Sequence, residues 1–157
     1  VLVSDRVAGT IIEEGGEFAH GFTYSGHPAA CAVALKNIEL IKKENILDSV
    51  KHSIAPYLRD KWLSLGDHPI VGEARIKGLM GAIELTNDKL KRSRFPSDFN
   101  TGSLCRDISI KNGLVMRAVG DSMIIAPPLV INHEQIDELV DKARTTLDET
   151  QEAVQKL

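Results

Sequence analysis

Seven consecutive residues, Ala29-Ala30-Cys31-Ala32-Val33-Ala34-Leu35, carry no charge and almost no bulk, and Pro28 stands directly before them. Proline suits the first turn of a helix, because its φ is already helical and its missing N–H has no intrahelical acceptor there. A helix that starts small and apolar all round is expected to be buried on every side, where backbones pass closely. Such a helix demands covering layers, so the fold must supply a sheet or further helices around it. In front of it Gly21 and Gly26 punctuate a turn, with the hydroxyls of Thr23, Tyr24 and Ser25 between them. Hydroxyls and backbone N–H groups aimed at a helix N-terminus make a ready anion site. They serve equally well as plain caps on a core helix, and the residues alone leave both roles open.

The rest of the chain alternates between helical and strand-like texture. Val1–Ser4 reads as the end of a buried strand, and Asp5 could cap a helix over Arg6–Glu13 that Gly15-Gly16 ends. After a break at Glu44-Asn45, Ile46, Leu47, Val50, Ile54, Leu58, Trp62 and Leu65 recur at helical spacing, up to Gly66. Pro56 should bend or restart that helix. Gly72–Lys77 and Leu79–Leu85 are strand candidates, with Gly81 allowing a bulge or a close backbone approach. Asn87–Asn100 is a polar, proline-interrupted loop, and Ser103–Lys111 is a helix ended by Asn112-Gly113. Leu114–Val119 and Ser122–Ala126 read as strands joined at Gly120-Asp121. Asn132, with Gln135 in the capping-box position, starts a last helix whose buried face is Ile136, Leu139, Val140, Ala143 and Leu147. This order predicts two pieces: residues 1–44 as the trailing edge of a larger parallel-sheet domain, and 45–157 as a small domain with a helix-covered sheet.

Charge narrows the partners. The 19 basic and 22 acidic residues leave a net charge of −3, spread without a block of either sign, which argues against nucleic acid. The one basic cluster, Lys89–Arg94, reads as an exposed loop. No stretch reaches the roughly 20 apolar residues of a membrane span. Cys31 and Cys105 sit in apolar helical patterns and are expected to be buried, reduced thiols, which favours a cytoplasmic setting. His20 and His27 flank the hydroxyl loop without a third ligand at zinc spacing, and His52, His68 and His133 are expected to face solvent. No nucleophile elbow and no dinucleotide fingerprint is present.

Arg117 interrupts the apolar run from Leu114 to Val119, on the face shared by Val115 and Val119. A buried guanidinium must find an acceptor, and Asp121 or Glu84 could supply an internal one.

The segment His20-Gly21-Phe22-Thr23-Tyr24-Ser25-Gly26-His27-Pro28 resembles the stretch that follows the cofactor lysine in class III aminotransferases, most closely the ω-amino acid and amine:pyruvate branch. Val1–Val7, Val71–Arg75 with Gly78–Leu85, Gly113–Arg117 and Ile124–Leu129 resemble further pieces of the same family in the same order. The resemblance implies an α/β fold: the C-terminal part of the pyridoxal-phosphate-dependent fold type I scaffold, comprising the edge of the large domain and the small domain. It implies pyridoxal 5′-phosphate as cofactor, with Phe22 (backbone) and Thr23 holding its phosphate across a homodimer interface. It implies that Arg117 binds the substrate carboxylate and swings aside for an amine that lacks one. The family's Schiff-base lysine would lie upstream of Val1, so no catalytic residue is expected in this chain and it is expected to be inactive alone. The function implied is transfer of an amino group from an amine or ω-amino acid to a keto acid such as pyruvate. The rival reading, from another class, is a non-catalytic small-domain module that binds a partner or an anion.

Overall fold

The computed structural model describes residues 3–16 and 20–156, which fall into two compact units, Val1–Leu40 and Ile41–Leu157. The first unit is built from two helices. Helix α1 covers Asp5–Glu14, so Asp5 lies inside the first turn and Ser4, extended at φ −71° and ψ 155°, stands ahead of it. Gly15 closes the last turn and Gly16 takes φ 66°, in the left-handed region that glycine enters freely. Of the strand expected over Val1–Ser4, Val1 and Leu2 lie outside the described residues, and Val3 and Ser4 are exposed and belong to no strand.

Helix α2, Pro28–Lys43, corrects a larger expectation. None of its residues is buried within this chain; Val33 and Leu35 are 69% and 70% exposed. Cys31 is exposed with them, whereas Cys105 is buried as expected. The apolar composition predicts burial only where covering layers exist, and the described part of the first unit contains no strand to provide one.

In the second unit Asn45, at φ 50°, breaks the chain away from α2. Helix α3 (Ile46–Ser49) runs through a π-helical turn (Val50–Ile54) into α4 (Ala55–Leu63), and a 3₁₀ turn over Ser64–Asp67 ends the run. The π turn sits immediately before Pro56. A proline N has no hydrogen to continue the i→i−4 ladder, so the ladder widens there and Ala55 N–H donates to the Val50 carbonyl. Leu58, Trp62 and Leu65 emerge from this run fully buried.

Four antiparallel strands follow in the spatial order β1-β2-β4-β3: β1 Val71–Lys77, β2 Met80–Leu85, β3 Arg117–Val119 and β4 Ser122–Ile125. A register shift between Val71 and Glu73 places the irregularity in β1. Gly81, in β2, marks a close approach instead: a Cβ there would lie 2.9 Å from Trp62 Nε1 and 3.0 Å from Ile125 Cγ1. The two-residue turn Gly120-Asp121 is as predicted, with Gly120 at φ 56°. Strand β3 is shorter than predicted. Leu114–Met116 lie outside it, and Val115 is 81% exposed. An apolar run signals burial only where a neighbour lies over it, and β3 is an edge strand paired on one side.

One sheet face carries Ile83 and Met123, paired across β2 and β4 and fully buried in the core with Trp62. Helix α5 (Thr101–Lys111) and helix α6 (His133–Val154) complete that core through Cys105, Ile136, Val140, Ala143 and Leu147, while Leu139 is half-buried. Asn132 and Gln135 form the predicted capping box. The loop before α5 has more order than its composition suggests: Asp88 bridges Ser93, Ser97–Phe99 form a 3₁₀ turn and Phe95 is buried. His68 is a correction. It is buried, accepts from Ile70 N–H through Nδ1 (3.3 Å) and presents Nε2 to Asp148 Oδ1 of α6 at 3.1 Å. His52 and His133 are exposed.

Candidate functional site

The loop ahead of α2 is organised by its own short bonds. Ser25 N–H donates to the Phe22 carbonyl (2.9 Å), and Phe22 N–H donates back to Ser25 Oγ (3.0 Å). His27 N–H donates to the Tyr24 carbonyl, and Gly26 takes φ 74° to reverse the chain. The Phe22 and Tyr24 rings stack almost parallel, 11° apart, at 5.4 Å. The cap of α2 is a histidine: Ala30 N–H donates to His27 Nδ1 at 3.4 Å, and Cys31 N–H to the His27 carbonyl at 3.0 Å. The hydroxyls are therefore not the caps. Ser25 Oγ is engaged inside the loop, while Thr23 is exposed and has no hydrogen-bond partner among the described residues. On its other side the loop, through Gly21, Phe22 and Ser25, lines a hollow of about 580 Å³ with Ile11 and Ile12 of α1. A free hydroxyl beside a helix N-terminus is a donor set that suits a phosphate. The Phe22 N–H would have to leave Ser25 Oγ to join it.

Arg117 belongs to the second unit. It opens edge strand β3 and lies on the sheet face opposite the core, exposed together with Val119. Register places it at one end of a row across all four strands, Arg75–Ala82–Ile124–Arg117. The two arginines of that row differ in kind. Arg75 is neutralised by Glu73 (3.2 Å) and Glu84 (3.4 Å), whereas Arg117 has no ion-pair partner among the described residues. The internal pair that the sequence left open is absent here. Glu84 is occupied by Arg75 and by Ser122 Oγ, and Asp121 accepts from Gly102 N–H. Just upstream, Leu114 and Val115 line an apolar hollow of about 550 Å³ with Ile125, Pro127, Pro128 and Val130. An unpaired planar cation can take a carboxylate in a two-point contact.

One polar cluster has no signal in the sequence. Tyr57 Oη donates to Asp137 (2.8 and 2.9 Å), Lys61 Nζ pairs with Asp137 Oδ1 at 2.7 Å, and the Tyr57 ring packs on His133 at 4.3 Å. The Lys61 hydrogen bond holds the Asp137 carboxyl below the usual range, and Asp137 in turn raises Lys61. Asp137 lies 80 residues from Tyr57, so only the fold brings them together. It ties α4 to α6 and leaves no group free for chemistry. Among the described residues no group of three or more His, Cys, Asp or Glu side chains could hold a metal ion, and no helix is long and apolar enough to cross a membrane.

The sequence model of the family "Aminotransferase class-III" matches residues 1–147. The chain is 54% identical over 154 residues to the putrescine–pyruvate aminotransferase of Pseudomonas aeruginosa, covering 98% of this chain and 33% of that protein. It is 39% identical over 160 residues to the mitochondrial gamma aminobutyrate transaminase 1 of Solanum lycopersicum, covering 100% of this chain and 31% of the relative. Among solved structures, a thermostable (S)-enantioselective omega-transaminase from Thermomicrobium roseum superposes with a TM-score of 0.83 at 36% identity, over 94% of this chain and 33% of that one. The chain thus spans about a third of the length of the relatives it matches.

Proposed function

This chain belongs to the class III aminotransferase family, and on that premise we propose that it is the C-terminal portion of an enzyme that moves an amino group from an amine or ω-amino acid to a keto acid such as pyruvate. The mixed α/β fold matches part of the fold type I omega-transaminases, and the relative at 54% identity is named for a diamine donor and pyruvate. The family uses pyridoxal 5′-phosphate, which when bound supplies the electron sink for the exchange. In this proposal Thr23, with the Phe22 backbone, holds the cofactor phosphate of the partner protomer in a homodimer. The Schiff-base lysine is supplied by residues upstream of Val1. The free Thr23 hydroxyl and the α2 N-terminus behind it support the phosphate role.

The observation that carries the reading is the unpaired guanidinium of Arg117. It stands at the position where the family resemblance places a carboxylate ligand, and no acid of its own unit competes for it. Its fork orients a keto-acid carboxylate by two parallel hydrogen bonds. An amine donor brings no carboxylate, and an exposed, unpartnered side chain is free to turn away from it.

The test is Arg117→Ala in the full-length holoenzyme, with each half-reaction followed in single turnovers. The pyruvate half-reaction should lose about 1.5–3 kcal/mol of binding and rate together, the range for a hydrogen bond to a charged group. The half-reaction of a simple amine should change far less, and the melting temperature should hold because no internal ion pair is broken. Equal losses in both half-reactions would leave Arg117 without the carboxylate role.

A further inference from the structure

We propose that Asp121 is a positioning residue for Arg117: by fixing the β3–β4 turn to the first turn of α5 and to β2, it sets where the guanidinium is presented. The inference rests on the reading of Arg117 as the carboxylate-binding residue. Strand β3 is three residues long, pairs with β4 alone and is anchored on its core side by buried Met116 and by Ala118. Arg117 lies on the opposite face, and the turn that follows three residues later ties the end of its hairpin to β2 and α5.

That turn is held from two sides by one residue. The Asp121 side chain accepts the Gly102 N–H at 3.0 Å, and the Asp121 carbonyl accepts the Leu85 N–H at the end of β2 at 2.9 Å. Helix α5 has no cap of its own, since Asn100 ahead of it is at φ 47° and makes no side-chain cap bond. Asp121 supplies the missing acceptor from 19 residues away, and a carboxylate suits the positive end of a helix. Gly102 permits the contact sterically: a Cβ there would overlap the Gly120 carbonyl oxygen and come within 3.2 Å of Asp121 Cα. The arrangement has a second effect. The acid closest in sequence to Arg117 on its hairpin is committed to a helix N–H, so it does not neutralise the guanidinium that substrate needs.

The experiment compares Asp121→Ala, Asp121→Asn and Asp121→Glu with Arg117→Ala in the full-length holoenzyme, reading KM for pyruvate, single-turnover rates with a simple amine, and thermal unfolding. Asp121→Ala should raise KM for pyruvate roughly tenfold by displacing the guanidinium, and leave the amine rate within about twofold. Asp121→Asn keeps the acceptor in place and should restore KM, whereas Asp121→Glu keeps the charge but displaces the acceptor and should not. This contrast between the two conservative variants decides the matter even if Asp121→Ala fails to fold. Equal effects on both half-reactions, or rescue by Glu and not by Asn, would overturn the positioning role. A non-selective Arg117→Ala would instead overturn the reading of Arg117 itself, which the Asp121 variants do not test.

Discussion

Thr23 owes its availability to His27. An imidazole takes the cap of α2 that a hydroxyl would otherwise fill, and Ser25 is consumed in closing the loop, so the Thr23 hydroxyl is left over, as is that of Tyr24. If Thr23 holds the phosphate as proposed, Thr23→Ala in the full-length enzyme should weaken cofactor binding by about 1.5–3 kcal/mol, the value of a hydrogen bond to a charged group, while the proposed dimer persists. Spectrophotometric titration of the apoenzyme measures the first and sedimentation the second; unchanged affinity would return Thr23 to the role of a plain loop residue. The hydroxyl cluster and its two glycines were readable in the chain because they are contiguous. That His27 is the cap was not, since histidine is an uncommon capping residue and its geometry follows from the turn at Gly26. Arg117 was readable as a cation in an apolar run. Its exposure and the engagement of Glu84 and Asp121 elsewhere depend on cross-strand register that no local pattern encodes.

At the level of elements, α6 is held to α4 by the Tyr57–Asp137–Lys61 cluster, and its charges make that tether pH-dependent. The Asp137 carboxyl titrates below its ordinary range in the folded chain, so its contribution is present above the unfolded carboxyl pKa and is lost as pH falls through the lowered folded value. Lys61 is raised above its ordinary 10.5, so its contribution is complete below that value and fades as pH rises through the folded one. Asp137→Asn should therefore lower the urea midpoint near neutrality, with the difference shrinking as pH falls through the lowered Asp137 value. Midpoints that differ equally at neutral and acidic pH would show that Asp137 acts without its charge. Helix α6 itself was legible to its capping box, because Asn132 and Gln135 are three residues apart. The burial of His68 was not, because its partner Asp148 arrives from α6, 80 residues later.

For the molecule as a whole, α2 leaves its apolar surface exposed, against the burial that its composition predicts, in a chain that spans about a third of its relatives' length. The two cysteines report on it separately. Burial pushes the Cys105 thiol up to about 11, so it should not react with a thiol reagent at mildly alkaline pH, while the exposed Cys31 should react promptly. One fast thiol per native chain and two after denaturation is the expected count. In the full-length enzyme Cys31 should become slow, because the proposed upstream portion would cover α2; a Cys31 that stays fast there would count against such a cover. The composition of residues 29–35 predicts burial that this chain does not show, because composition cannot say whether a stretch of chain brings its own cover.

The π turn before Pro56 has a consequence for heredity. A π turn holds one residue more than the α turn it replaces, so deleting one residue between Val50 and Ile54 would let the run close as plain α-helix and keep Leu58 and Trp62 facing the core, the remaining cost being the fit of Pro56. The same deletion between Leu58 and Trp62, where no residue is spare, would turn Trp62 by about 100° and withdraw its indole from beside Gly81. Lineages of this chain can therefore lose a residue within the π turn at modest cost, but a single-codon deletion within α4 is expected to be purged.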